Sequence, residues 1–321
     1  MKHRNLFAGL TAIIISFSAV DANAQTYAIT DYSVNYMRLK ADYESPLETQ
    51  ELMGVPVEVL ESYNYWKKIR TPQPYDAWCT DMGLAFITAD ELEQYKASPK
   101  YIITEPYGQI YSKPSLRSEI ISDFVAGDVV RKSKKIKKGF AEIIMPSGEI
   151  GYIKKKYVQD LHKWSDTRIT DFEHIKATAL SFKGIPYLWG GMSIKGFDCS
   201  GLVRYTYMLN GTMLPRNASQ QCYCGEQITI DNKAPMAERI ANLEPGDLVF
   251  FGKSATLLTK EKITHVAIYL GDGKIIHSSH EVRINSLLPG QPDTYNNAER
   301  LIRACRIIGH YPHNTTANIY Y

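Results

Sequence analysis

The sequence predicts a multidomain protein in which two small all-β barrels precede one α+β domain. The region up to about residue 163 contains short apolar strands separated by turn residues, and one such pattern occurs twice. From about Trp164 onward, helical periodicity is followed by antiparallel strands. A hydrophobic content of 44% is ordinary for a chain that buries a core.

The first 24 residues have the three parts of an export signal. Basic residues at positions 2–4 precede an apolar run, and Ala22-Asn23-Ala24 is a small-x-small cleavage pattern. The run is shorter than the roughly 20 residues of a membrane span, and no cysteine follows the cleavage pattern. We therefore expect a removed signal peptide, an exported protein (periplasmic or secreted) and no membrane anchor. A buried N-terminal helix is the alternative.

The repeated pattern suggests two equivalent barrels with an offset of about 73 residues. Each copy has Gly-x-x-Val, a polar turn, an aromatic residue, a Pro/Gly turn and a second aromatic residue. The equivalent pairs are Gly54 and Gly127, Trp66 and Phe140, and Trp78 and Tyr152. We place the first barrel at residues 25–104, the second at residues 105–163 and the α+β domain at residues 164–321.

Charge and cysteine content say little about partners. The formal charge of +3 does not indicate nucleic acid, and the lysine-rich run 131–138 is most simply a solvated hairpin rather than an anion site. The odd number of cysteines leaves at least one thiol free in an exported chain; they are Cys79, Cys199, Cys222, Cys224 and Cys305. Their spacing does not match a structural zinc site, and we predict no metal and no cofactor.

Cys199 opens the second predicted helix of the α+β domain, "DCSGLVRYTYMLNG". Asp198 is a suitable N-cap for this helix and Gly211 a suitable stop. The positive end of the helix dipole favours a thiolate, whereas the charge of Asp198 opposes it. A nucleophilic role for Cys199 therefore needs a base.

Two histidines on a predicted hairpin are candidates for that base and its partner. Gly271-Asp272-Gly273 separates the strands that carry His265 and His277. A three-residue turn places both histidines on one face, and a two-residue turn places them on opposite faces. On one face, His265 accepts the thiol proton and His277 orients it. The alternative is two structural histidines and a buried thiol.

Four motifs in residues 165–321 resemble the NlpC/P60 family of cell-wall cysteine peptidases, which have a papain-like α+β catalytic domain. They are "GIPYLWGGMSIKGFDCSGLVRYTY", "LPRNASQQ", "LEPGDLVFF" and "ITHVAIYLGDGKIIHSS". The resemblance implies Cys199 as nucleophile, His265 as base and His277 as orienting residue. It also implies that Tyr187 and the Cys199 N–H hold the oxyanion. The two barrels resemble bacterial SH3-like domains.

The resemblance also implies a substrate. The family cleaves between γ-D-glutamate and a diamino acid, meso-diaminopimelate or L-Lys, in peptidoglycan stem peptides. Barrels that precede the peptidase are typical of the dipeptidyl-peptidase VI branch, which prefers a free N-terminal L-Ala and recycles released peptides. We expect a monomer with this peptide as its partner.

Several residues are candidates for substrate binding. In the α+β domain, the resemblance suggests Asp198, Ser200, Arg216 and Ser219. Candidates in the first barrel for the wall around the free amine are Glu61, Tyr75, Asp76 and Trp78. Other open readings are a broader hydrolase of intact wall anchored by the barrels, an inactive wall-binding protein, and an acyltransferase with the same thiol chemistry.

Overall fold

The computed structural model describes residues 26–321, so the predicted signal peptide lies outside the described residues. The first region is a seven-stranded antiparallel sheet in the spatial order β3-β2-β6-β5-β4-β1-β7. Its strands are β1 (Tyr27–Thr30), β2 (Val34–Arg38), β3 (Leu47–Leu52), β4 (Pro56–Tyr63), β5 (Trp66–Arg70), β6 (Asp76–Thr80) and β7 (Leu84–Ile87).

Helix α1 (Ala89–Ala97) leads to a second seven-stranded antiparallel sheet, ordered β10-β9-β13-β12-β11-β8-β14. Thr88 and Glu91 form a capping box that fixes the start of the helix. The strands are β8 (Lys100–Ile103), β9 (Tyr107–Tyr111), β10 (Ile120–Val125), β11 (Val129–Lys137), β12 (Phe140–Ile144), β13 (Ile150–Lys154) and β14 (Val158–Asp160).

The two sheets are built on one plan. Their strand orders are identical once each β1–β7 strand is matched to the strand seven places later. Gly54 and Gly127 have φ values of +89° and +90°. Trp66 and Phe140 are the first residues of β5 and β12, and Trp78 and Tyr152 are the third residues of β6 and β13. The structure thus reproduces the repeat that the sequence indicates, while the SH3-like assignment of each sheet stays a prediction.

The boundary between the two sheets differs from the predicted one at residue 104. Strand β8 pairs with β11 and β14 of the second sheet, through residues 129–131 and 158–160. It is the equivalent of β1, which pairs with β4 and β7 in the first sheet. The second region therefore begins with the strand at Lys100, directly after α1.

The rest of the chain is an α+β unit. Its helices are α2 (Leu161–Asp166), α3 (Phe172–Ser181), α4 (Cys199–Leu209), α5 (Ala218–Gln221) and α6 (Met236–Arg239). A hairpin of β15 (Met192–Ser193) and β16 (Gly196–Phe197) precedes α4. A six-stranded antiparallel sheet, ordered β17-β22-β18-β19-β20-β21, comprises β17 (Glu226–Ile228), β18 (Leu248–Lys253), β19 (Lys262–Gly271), β20 (Lys274–Ser279), β21 (Glu281–Ser286) and β22 (Leu301–Arg306).

One apolar core connects all three regions. Leu52 of β3, Val129 of β11 and Leu202 of α4 belong to the same buried cluster. Buried hydroxyls add polar links, since Tyr205 and Tyr320 donate to the backbone oxygens of residues 126 and 127 at 2.6 Å. Helix α4 packs against β19 and β20, which sets its first residue beside the strand that carries His265. Among residues 26–321, no helix is long and apolar enough to cross a membrane.

Candidate active site

The structure places Cys199 at the first position of α4, as the sequence predicts. Asp198 is the N-cap, and its carboxylate accepts a hydrogen bond of 2.6 Å from the Gly201 N–H. Cys199 as a whole residue is half-buried, and the backbone N–H groups of Val266 and Ser200 lie near its thiol and lower its pKa, against the larger effect of burial that raises it. Because Val266 directly follows His265 on β19, the thiol lies beside the strand of the predicted base.

The pKa of Cys199 differs from the sequence expectation. Burial, and then the negative charge of Asp198, raise the pKa of this thiol to about 12. The helix N-terminus therefore does not produce a thiolate in the unliganded site, because desolvation outweighs the dipole. A nucleophilic role for Cys199 therefore requires that a base remove its proton.

His265 and His277 meet on one face of the sheet, as the sequence predicts. His265 Nε2 lies 2.7 Å from His277 Nδ1, and the two rings are nearly perpendicular at 73°. Burial lowers the pKa of His265 to about 3 and that of His277 to about 4. Both imidazoles are therefore neutral near pH 7, and His265 has a lone pair available for a proton.

The turn that brings the histidines together is not the three-residue turn on which a shared face was expected to depend. Asp272 and Gly273 form a two-residue turn in which both have positive φ, 49° and 71°. A β-bulge between Tyr269 and Gly271 adds one residue to the first strand. The bulge restores the face that a two-residue turn alone would reverse, so the histidines still face each other.

Asn285 and Tyr295 complete the surroundings of the histidine pair, and sequence reasoning missed both. Asn285 Oδ1 lies 2.9 Å from His277 Nε2. The Tyr295 ring lies against both imidazoles, with centroids 4.8 Å from His277 and 5.6 Å from His265. The available signal for Asn285 was a polar pair, Asn285 and Ser286, between the apolar residues of "EVRINSLL"; Tyr295 gave none.

Tyr187 lies at the same site. Its backbone N–H donates to the His280 carbonyl at 2.8 Å, and its side chain is partly buried. Burial, followed by the negative potential of Cys199 and Asp198, raises the pKa of Tyr187 above its ordinary range. The phenol thus keeps its proton and can act as a hydrogen-bond donor.

Asp198 and Arg216 form a buried ion pair rather than an open binding group. Arg216 donates to both carboxylate oxygens, at 3.1 and 2.6 Å, and to Ser200 Oγ at 3.0 Å. The Gly190 and Gly201 N–H groups also bond to this carboxylate. These contacts fix the segment that leads into Cys199. Because they take up the lone pairs of the Asp198 carboxylate, it has little capacity left for a substrate amine.

The first sheet reaches the site through strand β3. Thr49 Oγ1 accepts from Arg216 Nε at 2.7 Å, and Gln50 Oε1 accepts from the Met192 N–H at 2.8 Å. On the same strand, Glu48 accepts a hydrogen bond of 2.9 Å from the Tyr75 hydroxyl. Burial raises the pKa of the half-buried Tyr75, which lies close enough to Arg216 for that charge to oppose the shift, while its role in substrate binding stays a prediction.

Glu48 is a candidate that sequence reasoning missed, whereas several predicted candidates lie elsewhere. Glu61 is paired with Lys68 at 2.6 Å on the first sheet. Asp76 forms a two-bond ion pair with Arg70, at 2.8 and 2.7 Å. Trp78 stands opposite Lys68 in the β5–β6 register, and Ser219 is an exposed residue of α5. Among these residues of the first sheet, Tyr75 lies near the charge of Arg216, and Glu48 is joined to Tyr75 by a hydrogen bond.

The other four cysteines lie outside this group. Cys79, Cys222, Cys224 and Cys305 are all buried and unpaired in the part of the chain that the structure describes. Within residues 26–321, no group of three or more His, Cys, Asp or Glu side chains has the geometry to hold a metal ion.

A thiol at a helix start, beside the strand of a histidine that is hydrogen-bonded to a second histidine, is typical of a thiol-dependent hydrolase. Residues 184–297 match the model of the NlpC/P60 family, and the chain therefore contains an NlpC/P60 domain.

Curated relatives extend the match beyond that domain. Dipeptidyl-peptidase 6 of Lysinibacillus sphaericus is 28% identical, with 77% of this chain and 86% of that protein covered. Gamma-D-glutamyl-L-lysine dipeptidyl-peptidase of Bacillus subtilis is 24% identical, with 84% of each chain covered. The crystal structure of an NlpC/P60 family protein from Bacillus cereus is 23% identical and aligns with a TM-score of 0.69 over 88% of this chain and 99% of that one. The likeness thus includes the two N-terminal sheets.

Proposed function

We propose that this protein is an exported, monomeric cysteine peptidase that hydrolyses the bond between γ-D-glutamate and a diamino acid in peptidoglycan stem peptides with a free N-terminal L-Ala. The observation that carries the proposal is the Cys199 thiol beside the strand of a paired, neutral His265. The two dipeptidyl-peptidases similar to this chain support the same reaction class.

The reaction follows from the protonation states of the site. His265 takes the Cys199 proton as the sulfur attacks the γ-glutamyl carbonyl, which gives a tetrahedral intermediate. The Tyr187 hydroxyl and the Cys199 N–H donate to its oxyanion. His265 then protonates the leaving amine of the diamino acid, and water hydrolyses the remaining thioester. Both partners start neutral, so the proton transfer and the attack are coupled.

Glu48 and Tyr75 are the proposed binding groups for the free amine. A substrate ammonium needs an anionic acceptor, and the Asp198 carboxylate is already bonded to Arg216. The partly exposed Glu48 carboxylate has lone pairs available besides the one that accepts from Tyr75. A carboxylate fixed at this end of the cleft favours short peptides with a free terminus over polymeric wall.

Cleavage of L-Ala-γ-D-Glu-meso-diaminopimelate by the mature protein tests this proposal. We expect cleavage of the free peptide, little cleavage of its N-acetylated form, and none by Cys199→Ala, whose fold is checked by circular dichroism. The corresponding L-Lys peptide identifies the preferred diamino acid. Equal cleavage of the free and acetylated peptides would instead indicate a general wall hydrolase, and turnover by Cys199→Ala would contradict the role of the thiol.

The raised pKa of Cys199 gives a second test in the absence of substrate. Thiolate is the species that iodoacetamide alkylates, so the rate at Cys199 should increase steadily from about pH 5 to about pH 9. Cys199→Ala corrects for labelling of the four other cysteines. A rate already at its plateau near pH 5 would reveal a thiolate–imidazolium pair in the resting enzyme, contrary to the neutral site described above.

A further inference from the structure

The amide of Asn285 has a defined orientation. The carbonyl oxygen of Asp293 accepts a 2.9 Å bond from the Ser286 N–H and lies 2.7 Å from Asn285 Nδ2. A carbonyl oxygen can only accept, so the Asn285 NH₂ group must face it. The other end of the amide, Oδ1, is thereby directed to His277. Lys274 holds the side chain of Asp293 with two contacts of 3.0 Å and anchors this loop.

This orientation fixes the proton on each histidine in turn. Asn285 Oδ1 can only accept, so the His277 nitrogen 2.9 Å away, Nε2, carries a hydrogen. In a neutral imidazole the other nitrogen, His277 Nδ1, is then an acceptor. His265 Nε2 lies 2.7 Å from it and must donate, which leaves Nδ1 as the basic nitrogen of His265.

We propose that Asn285 is a positioning residue that sets the tautomer of both histidines and so prepares His265 Nδ1 to accept the Cys199 proton. The contact between Asn285 and His277 is diagonal across the β20–β21 pair, because Arg283 is the residue directly opposite His277. The inference rests on the proposed peptidase function for its effect on turnover, but the tautomer itself is a property of the free protein.

Two substitutions separate this role from simple loop anchoring. Asn285→Asp and Asn285→Leu both lose the hydrogen bond to the Asp293 carbonyl, whereas only Asn285→Asp keeps an acceptor for His277 Nε2. Imidazole ¹⁵N chemical shifts of histidine-labelled protein report which nitrogen is protonated, and a His277→Gln spectrum assigns the signals. Arg283→Gln is the control, because it removes a neighbouring charge and leaves the acceptor in place.

We expect a single Nε2–H tautomer for both histidines in wild type, in Asn285→Asp and in Arg283→Gln, and mixed tautomers in Asn285→Leu. We expect kcat of Asn285→Leu to fall about ten- to a hundredfold at unchanged KM, as is typical when an outer hydrogen-bond partner is removed. Asn285→Asp should retain most of kcat.

A single tautomer in Asn285→Leu, or equal losses of kcat in both variants, would overturn the proposal. If Asn285→Leu does not fold, Asn285→Asp alone tests the proposal. Loss of the Nε2–H tautomer of the histidines in that variant would contradict the inference. A wild-type protein that leaves the peptide uncut would count against the proposed function, while the ¹⁵N spectra would still test Asn285.

Discussion

The first and second sheets share one strand order but meet the α+β unit in different ways. The first sheet contacts it through polar side chains of β3, among them Thr49 and Gln50, next to the nucleophile loop. The second sheet also offers it the backbone oxygens of residues 126 and 127, which accept from buried tyrosines. A repeated architecture thus contacts the α+β unit beside Arg216 in one copy and through backbone acceptors in the other.

A comparison of equivalent positions in the two sheets shows which side chains account for their different contacts. With an offset of 73 residues, Glu48 of β3 corresponds to Ile121 of β10, and Gln50 corresponds to Asp123. The first copy therefore has a carboxylate where the second has an apolar residue. Asp123 does reach the α+β unit, where it binds Lys195 at 2.6 Å, but about a third of each side chain remains exposed. The Arg216–Asp198 pair beside the first sheet is only 6% and 11% exposed.

The largest expected effect is a difference in the free energy of unfolding when each of these two ion pairs is broken. Arg216→Met leaves the Asp198 carboxylate buried without a counter-charge and should lower the free energy of unfolding by about 3–5 kcal/mol. Asp123→Asn removes a solvent-screened pair and should cost about 1 kcal/mol or less. Urea unfolding of both variants measures the comparison. Similar losses would show that the two interfaces contribute alike.

The second-largest expected effect tests whether Glu48 of the first sheet binds substrate. Glu48→Gln removes the proposed acceptor of the substrate ammonium and should lower kcat/KM for the free peptide by about ten- to a hundredfold, the equivalent of a charged hydrogen bond of about 1.5–3 kcal/mol. Glu149→Gln, in the loop of the second sheet that corresponds to the Tyr75 loop, should leave kcat/KM unchanged. A normal rate in Glu48→Gln would remove the first sheet from substrate binding.

The smallest effect sharpens the comparison at the turn glycines. Gly54 and Gly127 both have φ near +90°, so alanine strains the backbone equally at both. A Cβ at Gly54 would collide with the rigid Val129 carbonyl, whereas at Gly127 it would meet the flexible Met208 side-chain end at 2.7 Å. Gly54→Ala should therefore be the more destabilising by about 1–2 kcal/mol in thermal unfolding. Equal shifts of the midpoint would indicate that strain alone decides.

The sequence predicted those parts of the site that depend on local pattern. Cys199 follows an N-cap residue, and His265 and His277 lie on strands whose alternation is visible in the chain. Even so, the shared face of the histidines depends on a two-residue turn combined with a bulge, and a bulge has no clear sequence signal. The histidines therefore share a face although the turn is not the three-residue turn that the sequence argument required for it.

Residues far apart in the chain could not be predicted in the same way. Glu48 becomes a candidate because Tyr75 donates to it, and Asp198 has little capacity for a substrate amine because Arg216 already donates to it. Asn285 acquires its role from an amide orientation that the Asp293 carbonyl sets. None of these contacts follows from spacing, since each joins segments that meet only in the folded chain.

The sequence by itself indicated the repeat, the order of the regions, and the candidate thiol and histidines, because strand alternation, turn glycines and helix caps act over a few residues. Tertiary structure alone decided the protonation states of these groups and the choice of the proposed binding groups. Burial raises the pKa of Cys199 and lowers those of His265 and His277, and desolvation depends on what packs around each group. The same packing places β3 of the first sheet, and not its equivalent in the second, against Arg216.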